Sequence, residues 1–169
     1  NEDFELVIPD LIRLFDAYTQ LHLNIAGILD VPAALEPYKE RVMTSGFVDW
    51  RELPKVMVDC DIILAPLVDT IFNRAKSENK RLEAGLVKVP TVASQVGAFA
   101  EQVKNGETGL LVGVDNDWYA ALDRLITDKT LRTQLGENAH KIAANDYSTV
   151  YTGYTLASFI RERLARNIG

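Results

Sequence analysis

The chain alternates short apolar runs with segments whose apolar residues recur at helical spacing. From the amino end, Leu6, Leu11, Leu14 and Phe15 predict a helix over Phe4 to Tyr18, with Asp3 as its N-cap and Pro9 delaying or kinking its start. Leu21 to Gly27 reads as a strand, Ala33 to Tyr38 as a short helix or turn, and Arg41 to Thr44 as a second strand. A loop over Gly46 to Trp50 leads to a helix over Arg51 to Asp59, with Pro54 in its first turn. Asp61 to Pro66 is then a fully apolar strand. A helix from Lys76, a strand over Val89 to Ser94, a helix over Ala98 to Lys104 and a strand over Leu110 to Val112 continue the alternation. Asn116 to Thr127 carries Trp118, Leu122, Leu125 and Ile126 as one apolar stripe. Two further helices cover Leu131 to Ala144 and Val150 to Ile168.

Strands that are continuous apolar runs, each followed by a helix, predict an α/β fold. The expected form is a Rossmann-like, doubly wound parallel sheet of about five or six strands, with helices on both faces and extra helices at the carboxyl end. Residues 1–147 form the domain in this reading, and 148–169 a terminal helix. In such sheets ligands lie beyond the carboxyl ends of the strands, so the loops after Ala26, Ser45, Pro66 and Ser94 matter most.

The segment Asn73 to Val96 holds the most chemistry. On one helix, Lys76, Asn79, Lys80 and Glu83 are spaced i, i+3, i+4 and i+7 and share a face. Two ammonium groups and an amide near a helix N-terminus suit an anion, since free backbone N–H groups and the helix dipole favour negative charge there. Glu83, about 10 Å along that helix, is an acceptor able to hold a diol. Phosphate at one end and ribose at the other would lay one nucleotide along one helix. The plainer alternative is a solvated face on which Lys80 and Glu83 make a weak surface pair.

Composition narrows the classes. A net charge of −6, from 18 basic and 24 acidic residues, argues against nucleic acid as a partner of the whole surface. No apolar run approaches the length of a membrane span. The single cysteine, Cys60, excludes an internal disulfide, fits a reducing, cytoplasmic setting, and beside residues 62–65 reads as a small hydrophobe rather than a nucleophile. His22 and His140 lack neighbours at metal-ligand spacing, so no metal site is expected. No glycine-rich phosphate fingerprint is present, which argues against a nucleotide triphosphatase or a dehydrogenase. A receiver-like signalling module would need clustered acidic residues after its first strand and an aspartate at the end of its third, and LHLNIAG and DIILAPL supply neither.

The ordered set GFVDW, LP, CDIILAPL, FNRAKSENKRLEAGLVKVPTVAS and VKNGETGLLV resembles the C-terminal half of glycosyltransferases of the GT-B fold, in the retaining group usually called family 4. Similarity to members active on surface polysaccharides is strongest at AKSENKRLEAG, and the resemblance spans Phe4 to Asp146. It implies a domain binding a nucleotide-diphosphate sugar as donor substrate, with no further cofactor. Glu83 would bond the ribose, while Lys76, Ser77, Asn79 and Lys80 cradle the diphosphate and sugar. Gly46, Phe47 and Val48 would pack on the base. The resemblance also implies an N-terminal acceptor domain not in this chain, toward which the last helix crosses back. It further implies peripheral membrane association of the full enzyme, and inactivity of this portion alone. A nucleotide-sugar epimerase is the alternative within the architecture, although its histidine and carboxylate pattern is missing.

Two positions depart from the family. Ala75 stands where a first glutamate, eight residues before Glu83, contacts the donor sugar; Glu78 or Asp69 would have to replace it. Lys88 stands where glycine usually permits a left-handed helix end, so Lys88 takes a costlier conformation or the turn differs.

Overall fold

Pro9 sits in the first turn of a helix rather than inside one, and the predicted first helix is accordingly two. In the computed structural model, which describes residues 2–166, α1 (Glu2–Glu5) ends before Leu6, and α2 (Ile8–Ala17) starts with Pro9 where no N–H is needed. Asp3 is therefore not the N-cap of the long helix; it lies within α1, and its carboxylate accepts from Val68 N–H. The chain continues through β1 (Leu23–Ala26), a 3₁₀ helix (Ala33–Arg41), β2 (Val42–Gly46), α3 (Leu53–Val58) and β3 (Ile63–Ala65). Next come α4 (Ile71–Arg74), α5 (Asn79–Leu86), β4 (Thr91–Ser94), α6 (Gly97–Gln102) and β5 (Gly109–Val112). Three helices finish it: α7 (Trp118–Thr127), α8 (Lys129–Asp146) and α9 (Thr149–Arg166). The end of the helix expected to reach Ile168 lies outside the described residues.

Every strand pairing is parallel, as the alternation predicts, but the five strands form two sheets instead of one. β1 pairs with β2, and β3, β4 and β5 pair in that order. β3 is only three residues long, and the β1 ladder shifts register between Ile25 and Ala26, so a continuous ladder across them is lost. Side chains still merge the two sheets. Leu23, Val42, Ile62 and Leu64 all pack on one core built from Leu11, Leu14 and Phe15 of α2, Val92 and Leu110 of the sheet, and Trp118, Leu122 and Leu125 of α7. Ile126 packs against that core as well, which completes the predicted stripe. The other face of the three-stranded sheet holds a smaller cluster of Ala65, Ala93, Phe99 and Val103 under α6. Helices thus cover both faces.

α5 is the hinge between sheet and helices: it packs along α8 and touches β3, β4 and α3. Its carboxyl end is a Schellman turn, in which Val89 N–H bonds Ala84 O at 3.0 Å and Lys88 N–H bonds Gly85 O at 3.0 Å. Lys88 occupies the left-handed position at φ 63°, so the costlier conformation expected of a lysine there is the one adopted. α9 buries none of its side chains.

Candidate functional site

β3 and β4 end side by side because Leu67 N–H donates to Ser94 Oγ at 2.9 Å. The chain after β3 then folds back on itself. Thr70 Oγ1 caps α4 by accepting from Asn73 N–H at 3.1 Å, and the buried Asn73 amide donates to Val68 O at 2.8 Å. Asn73 also donates to Asp3 Oδ1 at 2.7 Å, an atom that accepts Val68 N–H at 2.8 Å as well. The second oxygen of Asp3 faces Lys76 Nζ at 3.3 Å, and that ammonium lies 5.1 Å from the Phe72 ring centre. Gly97, at φ 53°, presses against this segment: a Cβ there would lie 2.7 Å from Arg74 O. Burial pushes the Asp3 carboxyl up, but the Val68 and Asn73 hydrogen bonds and Lys76 outweigh it and hold the pKa below its ordinary value.

This closure corrects the expected helix from Lys76. The Thr70 cap starts a helix early, and the ties from Asn73 to Val68 and Asp3 turn the chain before a second one begins at Asn79. Lys76 and Ser77 are therefore in the turn, not on the helix, and Lys76 does not share an i, i+3 face with Asn79. Glu83 is four residues from the helix start, so its rise is about 6 Å rather than 10 Å. Asn79 and Lys80 do occupy the amino end of α5, and Ser77, Asn79, Lys80 and Glu83 are all exposed. Lys76 still bears on Lys80 through its charge. Lys80 exposes much of its surface yet is hemmed in by protein. That crowding, followed by the charge of Lys76, lowers its ammonium pKa; Asp3 and Glu83 act in the opposite sense. Lys80 and Glu83 form no ion pair among the described residues.

The second group of predicted contacts sits on the other sheet. Gly46 ends β2 at φ 61°, its carbonyl accepts Gly27 N–H at 2.7 Å, and Phe47 is 81% exposed beside a half-buried Val48. Among the described residues, no hydrogen bond joins Gly46 to Val48 with the lysine cluster. The two carboxylates expected to stand in for the family's first glutamate already have partners. Asp69 grips Arg74 through Nε at 2.5 Å and Nη2 at 2.8 Å. Glu78 lies 3.6 Å from the buried guanidinium of Arg81.

Asp3 is the residue that sequence reasoning assigned to the wrong task, because its partners lie 65 to 73 residues away. Cys60 is half-buried; burial and the neighbouring Asp59 and Asp61 raise its thiol pKa, which makes it a poor nucleophile. A hollow of about 210 Å³ lies at the amino ends of β3 and β4, beside Asp61, Lys88 and Arg132, away from the lysine cluster. No three His, Cys, Asp or Glu side chains cluster as metal ligands among the described residues, and no helix there is long and apolar enough to cross a membrane.

The sequence profile of glycosyl transferases group 1 matches residues 2–128, more than half of the chain. A D-inositol 3-phosphate glycosyltransferase of Corynebacterium efficiens is 31% identical over 159 residues, which cover 87% of this chain and 36% of that protein. Among solved structures, Anabaena HepE in complex with UDP superposes with a TM-score of 0.74 at 20% identity, covering 94% of this chain and 44% of that one. HepE has also been solved with UDP-glucose. The C-terminal domain of a group 1 glycosyl transferase, LpcC of Francisella tularensis, superposes with a TM-score of 0.67 at 21% identity, over 86% of this chain and 80% of that one. The chain spans from 15% to 40% of the length of these curated relatives, and its fold matches a carboxyl-terminal domain of GT-B architecture. On the strength of that profile, the chain belongs to the group 1 glycosyl transferases.

Proposed function

We propose that this domain binds the nucleoside-diphosphate part of an activated sugar, as the donor-binding portion of a retaining glycosyltransferase of surface polysaccharide or other glycan synthesis. The observation that carries the reading is the placement of Lys76 in the turn before α5 and of Lys80 in its first turn, beyond the carboxyl ends of β3 and β4. A diphosphate supplies several negative charges to two ammonium groups and to backbone N–H groups at a helix start. Glu83 is one turn further along α5, within reach of a ribose diol, and the exposed Phe47 offers an apolar face to a base. HepE, which binds UDP and UDP-glucose, and the glycosyltransferase relative support the same ligand class.

Transfer breaks the bond between the anomeric carbon and the β-phosphate oxygen, and the electron pair leaves with the diphosphate. Lys76 and Lys80 stabilise that growing charge without a metal ion. The acceptor belongs to another domain of the enzyme, so this portion binds donor but does not turn it over. The open apolar side of α9, with Tyr154 and Phe159 exposed, suits contact with that domain. The lone cysteine fits work in the cytoplasm, at a membrane surface where the full enzyme meets its acceptor.

Calorimetry with UDP, GDP, ADP and the matching nucleosides tests the reading. One nucleoside diphosphate should bind well above its own nucleoside. A folded chain that binds none of them overturns it.

A further inference from the structure

The two sheets share one core but not one ladder. Leu23 of β1, Ile62 just before β3 and Leu64 within it pack on the same apolar cluster. Among the described residues β1 nevertheless pairs with β2 alone, and β3 with β4 alone. Ile63 N–H donates to Pro90 O at 3.0 Å, toward β4. Backbone groups alternate sides along a strand, so the N–H and C=O of Leu64 point the other way, where no strand pairs with them. Neither open edge is guarded by charge or proline, since β1 and residues 62–65 contain neither.

The handedness of the connections says what belongs between these edges. The crossover from β1 to β2 runs through the 3₁₀ helix, which packs with α2 on the face of the larger core. α6, which links β4 to β5, lies on the opposite face. Parallel crossovers are right-handed in about 98% of cases, so those on one face all step across the sheet in one direction. A strand joined to β1 through α2 must therefore stand on the side of β1 away from β2, which is the side of β3. A place beyond β2 would put α2 on the wrong face. The start of the first helix is already at that position: Asp3 Oδ1 in α1 accepts Val68 N–H at 2.8 Å, just past the carboxyl end of β3.

We propose that the slot between β1 and β3 is the seat of an apolar strand of the same polypeptide, about five residues long and parallel to both neighbours. Its carboxyl end leads into α1, and it joins the two sheets into one beneath the candidate site. The seat does not depend on the nucleotide ligand proposed above. The competing occupant of such open edges is a second copy of this chain.

Hydrogen exchange at Leu64 reads the slot directly. In the monomeric chain the Leu64 amide should exchange at least about tenfold faster than the Val92 amide of the middle strand β4. Extending the amino end by Ile-Val-Val-Ile-Val-Gly-Ser-Gly, an apolar strand and a linker, should slow Leu64 about tenfold or more and raise the urea midpoint. The same extension with proline in place of its second and fourth residues lacks the N–H groups to pair and should change neither. A free peptide of the apolar strand, flanked by lysines, should give the same slowing at Leu64 where the extended chain does not fold.

A Leu64 amide as protected as Val92 in the monomeric parent overturns the proposal, because the slot is then closed. Equal effects of the apolar and proline extensions do so too. So does Leu64 protection that grows with the concentration of the parent, since a second copy would then hold the edge.

Discussion

The carbonyl oxygen of Lys88 occupies the space that a Cβ on Gly136 would need, at 2.0 Å from where that atom would stand. α8 therefore lies against the end of α5 at backbone contact, and only glycine allows it. Gly136→Ala must push the two elements apart, and overpacking of this kind costs about 1–3 kcal/mol or more. Lys88→Gly acts in the opposite sense. It removes the penalty of a side chain at φ 63°, about 1 kcal/mol, and gives up only an exposed pair with Glu137 at 3.0 Å. Urea titrations should show the first variant clearly destabilised and the second equal to the parent or slightly more stable. A neutral Gly136→Ala would contradict the close approach.

Leu122 is 3% exposed between α2 and the sheet, in the same cluster as Trp118 and Leu125. Leu122→Ala should lower stability by about 2–5 kcal/mol. A change near zero by chemical denaturation would mean that α7 is not seated on this core.

Tyr18 and Asp123 join α2 to α7 through a hydrogen bond of 2.5 Å from the phenol to the carboxylate. That bond first, then desolvation and the charge of Asp123, pushes the Tyr18 pKa up to about 12 from an ordinary 10.0. A raised pKa means that the folded chain keeps a proton which the unfolded chain has lost. Stability from this contact is thus complete below pH 10 and drains away as pH climbs toward 12. Asp123→Asn should bring the phenol ionisation down toward 10, read by phenolate absorbance, and should remove this part of the alkaline loss. An ionisation that stays in place would show that Asp123 is not its cause.

Arg81 is 2% exposed, with Nε and Nη2 lacking hydrogen-bond partners among the described residues and its guanidinium 5.2 Å from the Tyr147 ring centre. Glu78 at 3.6 Å is its counter-charge. Removing one member of a buried pair strands the other, so Glu78→Ala should cost about 3–5 kcal/mol. Replacing the whole pair is cheaper: Arg81→Met combined with Glu78→Gln should be near neutral or stabilising, because no charge is left buried without its partner. Thermal unfolding of the two variants gives opposite rankings if this is right.

The fold was legible because apolar runs alternate with helical spacing, and that pattern is local. Lys88 was legible through the resemblance, because the family's glycine at that position marks a left-handed helix end. Asp3 was not, because nothing near it in sequence announces Val68 or Asn73 as partners. The start of α5 was misplaced because Thr70 and Asn73 together build a turn that residue spacing alone does not reveal. Arg81 sits between Lys80 and Leu82 and reads as part of a solvated face. Its burial follows from α8 packing along α5, a tertiary contact, and the only hint is its i, i+3, i+4 spacing with Ala84 and Gly85. The site's residue types could be read from the chain, but the network that arranges them could not.

Glu83 and the two lysines should separate the ends of a bound nucleotide. Glu83 is exposed on α5 one turn after Asn79, about 6 Å along the axis, and Lys80 lies at the helix start. Glu83→Gln keeps the shape and one acceptor oxygen but loses the charge that strengthens diol hydrogen bonds. A charge-assisted bond is worth about 1.5–3 kcal/mol, so affinity for nucleoside and nucleoside diphosphate should both fall roughly tenfold or more. Lys76→Ala and Lys80→Ala should weaken the diphosphate far more than the nucleoside, because only the former carries phosphate. Calorimetry on the three variants with uridine and UDP gives the comparison directly. If Glu83→Gln binds like the parent, or the lysine variants weaken both ligands alike, the nucleotide does not lie along α5 and this face is merely solvated.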